Sequence, residues 1–387
     1  MEIARVSRTK RLLDGHLWVF SNELASSPKA FAPGEIVELR DRRDEFLGIG
    51  YANPASLIAV RILTREREEI DREFLKKRIV AALGYRKRHI SGTTGFRAFY
   101  SESDGLPGLI VDRYDDCLAV QILTAGMERL TDTIVDVLDE VFSPATLVLR
   151  NDSPARQLEG LVREKKIVKG TLETLPVIDE HGVKLAVDPL GGQKTGLFLD
   201  QRENRTHFGR IAGEGEGLDL FCNTGGWGIH LAARGARVTC VDESEPALRQ
   251  VHENAELNSL GHRVSTLRGE VFDFLKQESE GGKKYDFIVL DPPAFVKSRG
   301  KLSEALRGYR RLNGLAMGLL RKGGLLATSS CSYHLERHIF VEMLNVAARD
   351  AGRTARIVEM RSQGRDHPVL LAMPETEYLK CAFLEIL

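Results

Sequence analysis

Short apolar segments separated by turn residues fill the first 70 positions: 17–20, 34–39, 46–50 and 57–62, punctuated by Gly34, Gly48 and the Asn53-Pro54 pair. Segments of that length with such punctuation predict the strands of a small β-rich module. The pattern then lengthens. Phe74, Ile79, Ala82, Leu83 and Tyr85 can share one face of a helix running from Asp71 to about Arg88, with basic residues over much of the remainder. Between 97 and 150 the pattern alternates: strands at 109–112 and 118–123 around the turn Arg113-Tyr114-Asp115-Asp116, a helix over 130–142, a strand at 146–150. A hairpin is expected around 175–187, with Glu180-His181-Gly182 at its tip.

From about Gly191 the character changes to strand–helix alternation. Apolar strands are expected at 218–221, 237–241, 264–268, 287–290 and 324–329, with helices at 226–234 and 246–257, Pro246 being well placed in a first turn. This order implies a mostly parallel sheet covered by helices on both faces. The fold class expected is therefore α/β: a Rossmann-like C-terminal domain preceded by a small β-barrel and a central α/β domain. The boundaries expected are 1–70, 71–187 and 188–387. In open parallel sheets ligands sit beyond the carboxyl ends of the strands, and the singular polar residues of this half all lie at such ends.

Composition adds little to this picture. Lys+Arg and Asp+Glu balance at 55 each, but residues 1–90 hold 18 Lys/Arg against 13 Asp/Glu, a mild basic bias at the start of the chain. The five cysteines, Cys117, Cys222, Cys240, Cys331 and Cys381, include no C-x-x-C pair. An odd, scattered set points away from a disulfide framework or a zinc site and toward a reducing cytoplasm, with no metal expected. The N-terminal stretch is charged and lacks the apolar core of a signal peptide. No apolar run approaches membrane-spanning length. Oligomeric state, a homodimer included, is left open.

The chemistry begins at Asp219-Leu220-Phe221-Cys222-Asn223-Thr224-Gly225-Gly226-Trp227-Gly228, which joins a strand to a helix. Its glycines let backbone approach a ligand, and the following helix presents its positive end there. Asp242 ends the next strand, 23 residues after Asp219, where a carboxylate can accept two ribose hydroxyls. A dehydrogenase shares that logic. Here, however, the loop is not G-x-G-x-x-G, and Asp219 would repel a pyrophosphate while suiting the amino group of a methionine moiety. S-adenosylmethionine is the cofactor these features favour. Phe221, Asn223, Gly225 and Ser244 belong to its two binding turns, and Glu270 follows the third strand, where it could reach the adenine amine or stand as a surface residue.

The fourth strand closes on Asp291-Pro292-Pro293-Ala294-Phe295, a loop stiffened by its prolines. A carboxylate and an aromatic held there suit a flat base that is stacked and hydrogen-bonded. Ser329-Ser330-Cys331-Ser332 ends the fifth strand beside it. Methylating carbon 5 of a pyrimidine needs a thiolate at carbon 6, whereas nitrogen or oxygen targets need none. Cys331 is thus either that nucleophile or one more inert buried cysteine.

At these residues the chain resembles the bacterial class I ribosomal RNA methyltransferases of the RlmI type, which act on cytosine carbon 5 of 23S ribosomal RNA. The segment Gly192-Gln193-Lys194-Thr195-Gly196-Leu197-Phe198-Leu199-Asp200-Gln201-Arg202 is similar to that family's Q-K-T-G-F-F-L-D-Q-R signature, with Leu197 in place of the first Phe. The resemblance implies that Thr195, Phe198, Asp200 and Arg202 help cover the cofactor. Gly15-His16-Leu17-Trp18-Val19-Phe20-Ser21-Asn22 resembles the opening of the family's RNA-binding PUA domain. An Asp-Pro-Pro strand end rather than Pro-Cys implies one catalytic thiol, Cys331, with Asp291 on the base edge. RNA, 23S ribosomal RNA in particular, is the partner implied. Lys76, Lys77, Arg78, Arg86, Lys87 and Arg88 of the expected helix are then candidates for its phosphates and Phe295 for its base. Two rivals stand beside this reading: base nitrogen methylation by the Asp-Pro-Pro-x-Phe loop without a thiol, and an RNA-binding protein with a vestigial methyltransferase domain.

Overall fold

The computed structural model describes residues 1–295, 300 and 302–387. Its chain divides into two compact units that interleave in sequence. One comprises 1–178, 187–199 and 365–376, the other 179–186, 200–364 and 377–387. Three short segments, 179–186, 187–199 and 365–376, thus belong to the unit other than the one that flanks them in sequence. The hairpin segment 179–186 packs with the second unit because side chains there hold its backbone. Asn254 accepts from the Ala186 N–H (2.8 Å) and Asn258 from the Lys184 N–H (2.8 Å).

The first unit opens with β1 (Glu2–Arg5), α1 (Lys10–Leu13), β2 (Trp18–Phe20), β3 (Glu35–Arg40), β4 (Phe46–Ala52) and β5 (Ile58–Thr64). These strands form one sheet, ordered β1-β3-β4-β5-β2, closed over Val19, Val37, Leu39, Val60 and Ile62. Helix α2 (Arg72–His89) follows, with Asp71 capping it by accepting from the Phe74 N–H at 2.9 Å. Then come β6 (Gly95–Tyr100), β7 (Leu109–Tyr114), β8 (Cys117–Ile122), α3 (Ala125–Arg129), α4 (Thr131–Phe142), β9 (Thr146–Asn151), α5 (Ala155–Leu158) and β10 (Glu164–Lys169). They make a second five-stranded sheet, β10-β9-β8-β7-β6, whose core includes Phe74 and Ile79 of α2 and Ile134 and Leu138 of α4.

The hairpin β11 (Val177–Glu180) and β12 (Val183–Ala186) precedes α6 (Arg202–Ala212). The second unit then runs β13 (Glu216–Leu220), α7 (Gly226–Ala232), β14 (Arg237–Asp242), α8 (Glu245–Leu257), β15 (Val264–Arg268), α9 (Val271–Glu280) and β16 (Tyr285–Leu290). It finishes with α10 (Leu302–Leu319), β17 (Leu320–Ser330), α11 (Arg337–Asp350), β18 (Ala355–Arg361) and β19 (Lys380–Ile386). Its sheet is ordered β15-β14-β13-β16-β17-β19-β18, with the first five strands parallel and β19 antiparallel to both neighbours. The order reverses between β13 and β16, which makes their carboxyl ends the topological switch point where ligands bind. Among the described residues no helix is long and apolar enough to cross a membrane, and no cluster of His, Cys, Asp or Glu could hold a metal ion.

Candidate active site

The turn after β13 is built from unusual backbone. Phe221 (φ 61°), Asn223 (φ 49°) and Gly225 (φ 80°) all lie in the left-handed region. For the two non-glycine residues that costs about 1–3 kcal/mol each, so surrounding bonds must hold them there. They do: Asn223 N–H donates to Asp242 Oδ2 (2.9 Å) and Cys222 N–H to the Val241 carbonyl (3.2 Å). Gly225 also lacks room, since a Cβ would meet Val251 of α8 at 3.1 Å.

Asp219 lies wholly buried beneath this turn. Its Oδ2 accepts from the Gly228 N–H at 2.8 Å, while Oδ1 has no hydrogen-bond partner among the described residues. Burial pushes the carboxyl up to about 8 against the pull of that hydrogen bond, with Asp291 and Asp242 adding repulsion. Asp242 is half-buried at the end of β14, its second oxygen accepting from the Ser244 N–H (2.9 Å). Ser244 in turn caps α8 through the Ala247 N–H (3.3 Å). Glu270 caps α9, accepting from the Asp273 N–H (2.9 Å), and is otherwise exposed.

One strand over, Asp291 is clamped from both sides. Gln201 Nε2 donates to its Oδ1 (2.9 Å) and Trp227 Nε1 to its Oδ2 (3.2 Å). Gln201 also donates to Ser329 Oγ on β17 (3.0 Å), linking adjacent strand ends. Phe295 packs on Tyr309 of α10 with ring centroids 4.6 Å apart. Tyr309 is buried and its hydroxyl receives Ser330 Oγ–H at 3.0 Å and lies 3.3 Å from Ser332 Oγ, bracketing Cys331. Cys331 is half-buried, whereas the other four cysteines are buried. Behind it stands Lys380, almost wholly buried, its Nζ donating to the carbonyls of Ser332 (2.6 Å) and Tyr378 (2.8 Å). Sequence reasoning missed Gln201, Trp227 and Lys380. Gln201 and Trp227 lie inside quoted motifs, but only the fold turns them toward Asp291. Lys380 carries no local signal at all.

Several expected site residues have other duties. Thr195 is fully buried in the first unit, where its hydroxyl donates to Asp112 and meets Tyr114 Oη at 3.0 Å. That side chain anchors the signature segment to β7. Arg86 is corrected likewise: it is 1% exposed, paired with Asp104 at 2.6 Å and donating to the carbonyls of Arg97 and Asp366. A guanidinium buried this deeply and already paired reaches no phosphate. Lys76 is held by Glu140, and Lys77, Lys87 and Arg88 remain exposed. Phe198 is half-buried beneath the Lys194 ammonium (4.4 Å), Asp200 accepts from Tyr378 Oη–H (2.6 Å), and Arg202 is buried beside Glu203 (3.6 Å).

A reversed-order parallel sheet with carboxylates at successive strand ends defines a Rossmann-like enzyme binding a nucleoside cofactor. Comparison with known proteins specifies the class. Residues 162–363 match the model of the S-adenosylmethionine-dependent methyltransferase family, and residues 5–65 match a PUA-like domain. The chain belongs to the S-adenosylmethionine-dependent methyltransferases. It is 40% identical to "Ribosomal RNA large subunit methyltransferase I" of Shewanella amazonensis over 379 residues, covering 96% of each chain, and as similar, at the same coverage, to the Aeromonas salmonicida protein of that name. In fold it is similar to SMU.776, a methyltransferase crystallised with SAH (TM-score 0.86, 20% identity), and to a SAM-dependent methyltransferase of Streptococcus mutans (TM-score 0.85, 21% identity), each covered over 100% of both chains.

Proposed function

We propose that this protein methylates carbon 5 of a cytosine in large-subunit (23S) ribosomal RNA, in the cytoplasm, through a transient bond from Cys331. The observation carrying this reading is Cys331 itself, the half-buried thiol at the strand end next to Asp291. The ribosomal RNA substrate rests on the name of the relatives and on the PUA-like domain.

The residues present fit S-adenosylmethionine. Asp219 offers a buried carboxylate oxygen with no hydrogen-bond partner among the described residues, beneath a strained turn, and a cationic amino group near that turn is what such a site accommodates. Asp242 keeps lone pairs for ribose hydroxyls, and Phe221, Asn223 and Gly225 bring backbone close. Ser244 shapes the second turn, and the exposed Glu270 carboxylate suits the adenine amine. Phe198, Asp200 and Arg202 support the covering segment. When bound, the cofactor supplies an electrophilic methyl group.

This chain's residues do the rest. Lys77, Lys87 and Arg88 hold phosphates, and Phe295 stacks on a cytosine taken out of its own stack. Asp291, fixed by Gln201 and Trp227, accepts from the base edge. Cys331 adds to carbon 6, which makes carbon 5 nucleophilic enough to take the methyl. Loss of the carbon 5 proton to a base then expels the Cys331 thiolate. Replacing Cys331 with Ala is expected to lower methyl transfer at least 10³-fold while leaving cofactor affinity within about twofold. Full activity in that variant would favour nitrogen methylation instead. Mass mapping of 23S ribosomal RNA from cells lacking the protein identifies the cytosine, and an unchanged map excludes this substrate.

A further inference from the structure

The reaction needs Cys331 as a thiolate, yet an ordinary thiol ionises near pH 8.5 and burial disfavours the charge further. What sits behind Cys331 therefore matters. Strand β19 runs antiparallel to β17 with Lys380 opposite Ser330, one residue before the thiol. Its Nζ lies 2.6 Å from the carbonyl of Ser332, one residue after it. Lys380 thus meets the Cys331 segment at the residues immediately before and after the thiol.

The bonding of Nζ is informative. Two of its tetrahedral positions are spent on the carbonyls of Ser332 and Tyr378. A neutral amine has two N–H groups, which satisfies both carbonyls and leaves one lone pair. Protonated, it has a third N–H for an anion. Burial draws the Lys380 amine down to about 8, with Cys331 and Glu377 pulling the other way. At that value both forms are populated near neutrality. Among the described residues, the charged or titratable groups acting on this pair include Glu377, ahead of β19, and Tyr309 on α10, whose phenol burial drives upward. Asp291 at the end of β16 acts on the neighbouring Cys381. Tyr309 stays neutral, so it cannot supply the cation.

We propose that Lys380 is the proton partner of Cys331, a positioning residue that creates the nucleophilic thiolate and holds it beside an ammonium. The inference rests on the thiol-dependent reading of the site. In the step, the Sγ–H bond breaks with its electron pair staying on sulfur, and the Lys380 lone pair forms the new N–H bond. After Cys331 is expelled from the base as thiolate, the proton returns and the pair is reset.

The test is the pH dependence of alkylation of the full chain by iodoacetamide, read peptide by peptide by mass spectrometry. The four buried cysteines serve as unreactive internal controls. In the unaltered protein Cys331 is expected to reach half-maximal reactivity about one unit or more below the ordinary thiol value of ~8.5. Lys380→Met is expected to raise that midpoint by at least one unit, slowing alkylation at pH 7 about tenfold, and to move the acid limb of the methylation rate by the same amount. Cofactor binding by calorimetry checks that the variant is folded. A midpoint at or above the ordinary value in the unaltered protein overturns the proposal without any variant, and so does an unchanged midpoint in folded Lys380→Met. If Cys331→Ala remains active, the thiol-dependent reading fails whatever Lys380 does. If Cys331→Ala is dead and the alkylation midpoints do not move, the inference about Lys380 alone is wrong.

Discussion

Asp219 shows how one buried residue couples stability to ligand. Its folded value is raised to about 8, so the folded chain holds this proton to higher pH than the unfolded chain does. That contribution to stability is complete below the unfolded value near 3.8 and is lost as pH rises toward 8. The cofactor-free protein is therefore expected to lose melting temperature between pH 5 and 8.5. Asp219→Asn, which can still accept from Gly228, removes that slope and raises the melting temperature by a few degrees at pH 8. The same variant is expected to bind S-adenosylmethionine at least tenfold more weakly from pH 7 to 8.5, the range in which the Asp219 carboxylate forms. Calorimetry across that range checks this. Residue types at this site were legible in the chain because strand ends concentrate singular polar groups. Pairings were not. Arg86 reads as one more cation of a basic helix, yet Asp104 and two carbonyls claim it from elements distant in sequence. Arg86→Ala is expected to cost about 3–5 kcal/mol of stability by leaving Asp104 unpaired. Lys87→Glu with Arg88→Glu is expected to leave stability unchanged and weaken RNA binding instead.

Among the elements, the hairpin β11–β12 carries more weight than its length suggests. Glu180 is wholly buried, and its carboxylate takes two bonds of 2.6 Å from Arg205 on α6 and lies 2.8 Å from His230 on α7. Burial alone would raise its value, but Arg205 and His230 more than offset it and hold it at about 2. A depressed carboxylate stabilises above its unfolded value and loses that contribution as pH falls toward 2. Glu180→Gln is expected to destabilise the fold by about 3–5 kcal/mol near neutrality and to flatten the acid limb of the stability profile, measured by denaturant unfolding. The parallel strands were readable because burial on both faces makes them continuous apolar runs. Strand β10, Glu-Lys-Lys-Ile-Val-Lys, is exposed at every position and β18 lies at a sheet edge, so neither leaves such a run. Strand β19 is apolar and buried but follows a long irregular stretch, and with it went Lys380.

At the scale of the molecule, the interleaving of two units is what a linear reading could not supply. Contiguity is the natural assumption from sequence, but 187–199 and 365–376 pack with the first unit and 179–186 with the second. A truncation beginning at 188 leaves Arg205 and His230 buried without Glu180. It is expected to aggregate or melt well below one beginning at 177, which circular dichroism distinguishes. For the intact protein, RNA binding is expected to weaken with salt, the logarithmic slope falling by about 0.7 for each of Lys77, Lys87 and Arg88 removed. The bond from Cys331 to the base is the step on which the whole reaction depends. Its most direct measurement is incubation of the full chain with S-adenosylmethionine and a 23S ribosomal RNA fragment carrying 5-fluorocytosine, where fluorine at carbon 5 blocks expulsion of the thiol. A methylated adduct that survives denaturation and maps to the Cys331 peptide is the result expected. Methylation of ordinary RNA by Cys331→Ala, with no adduct from the unaltered protein, would contradict it.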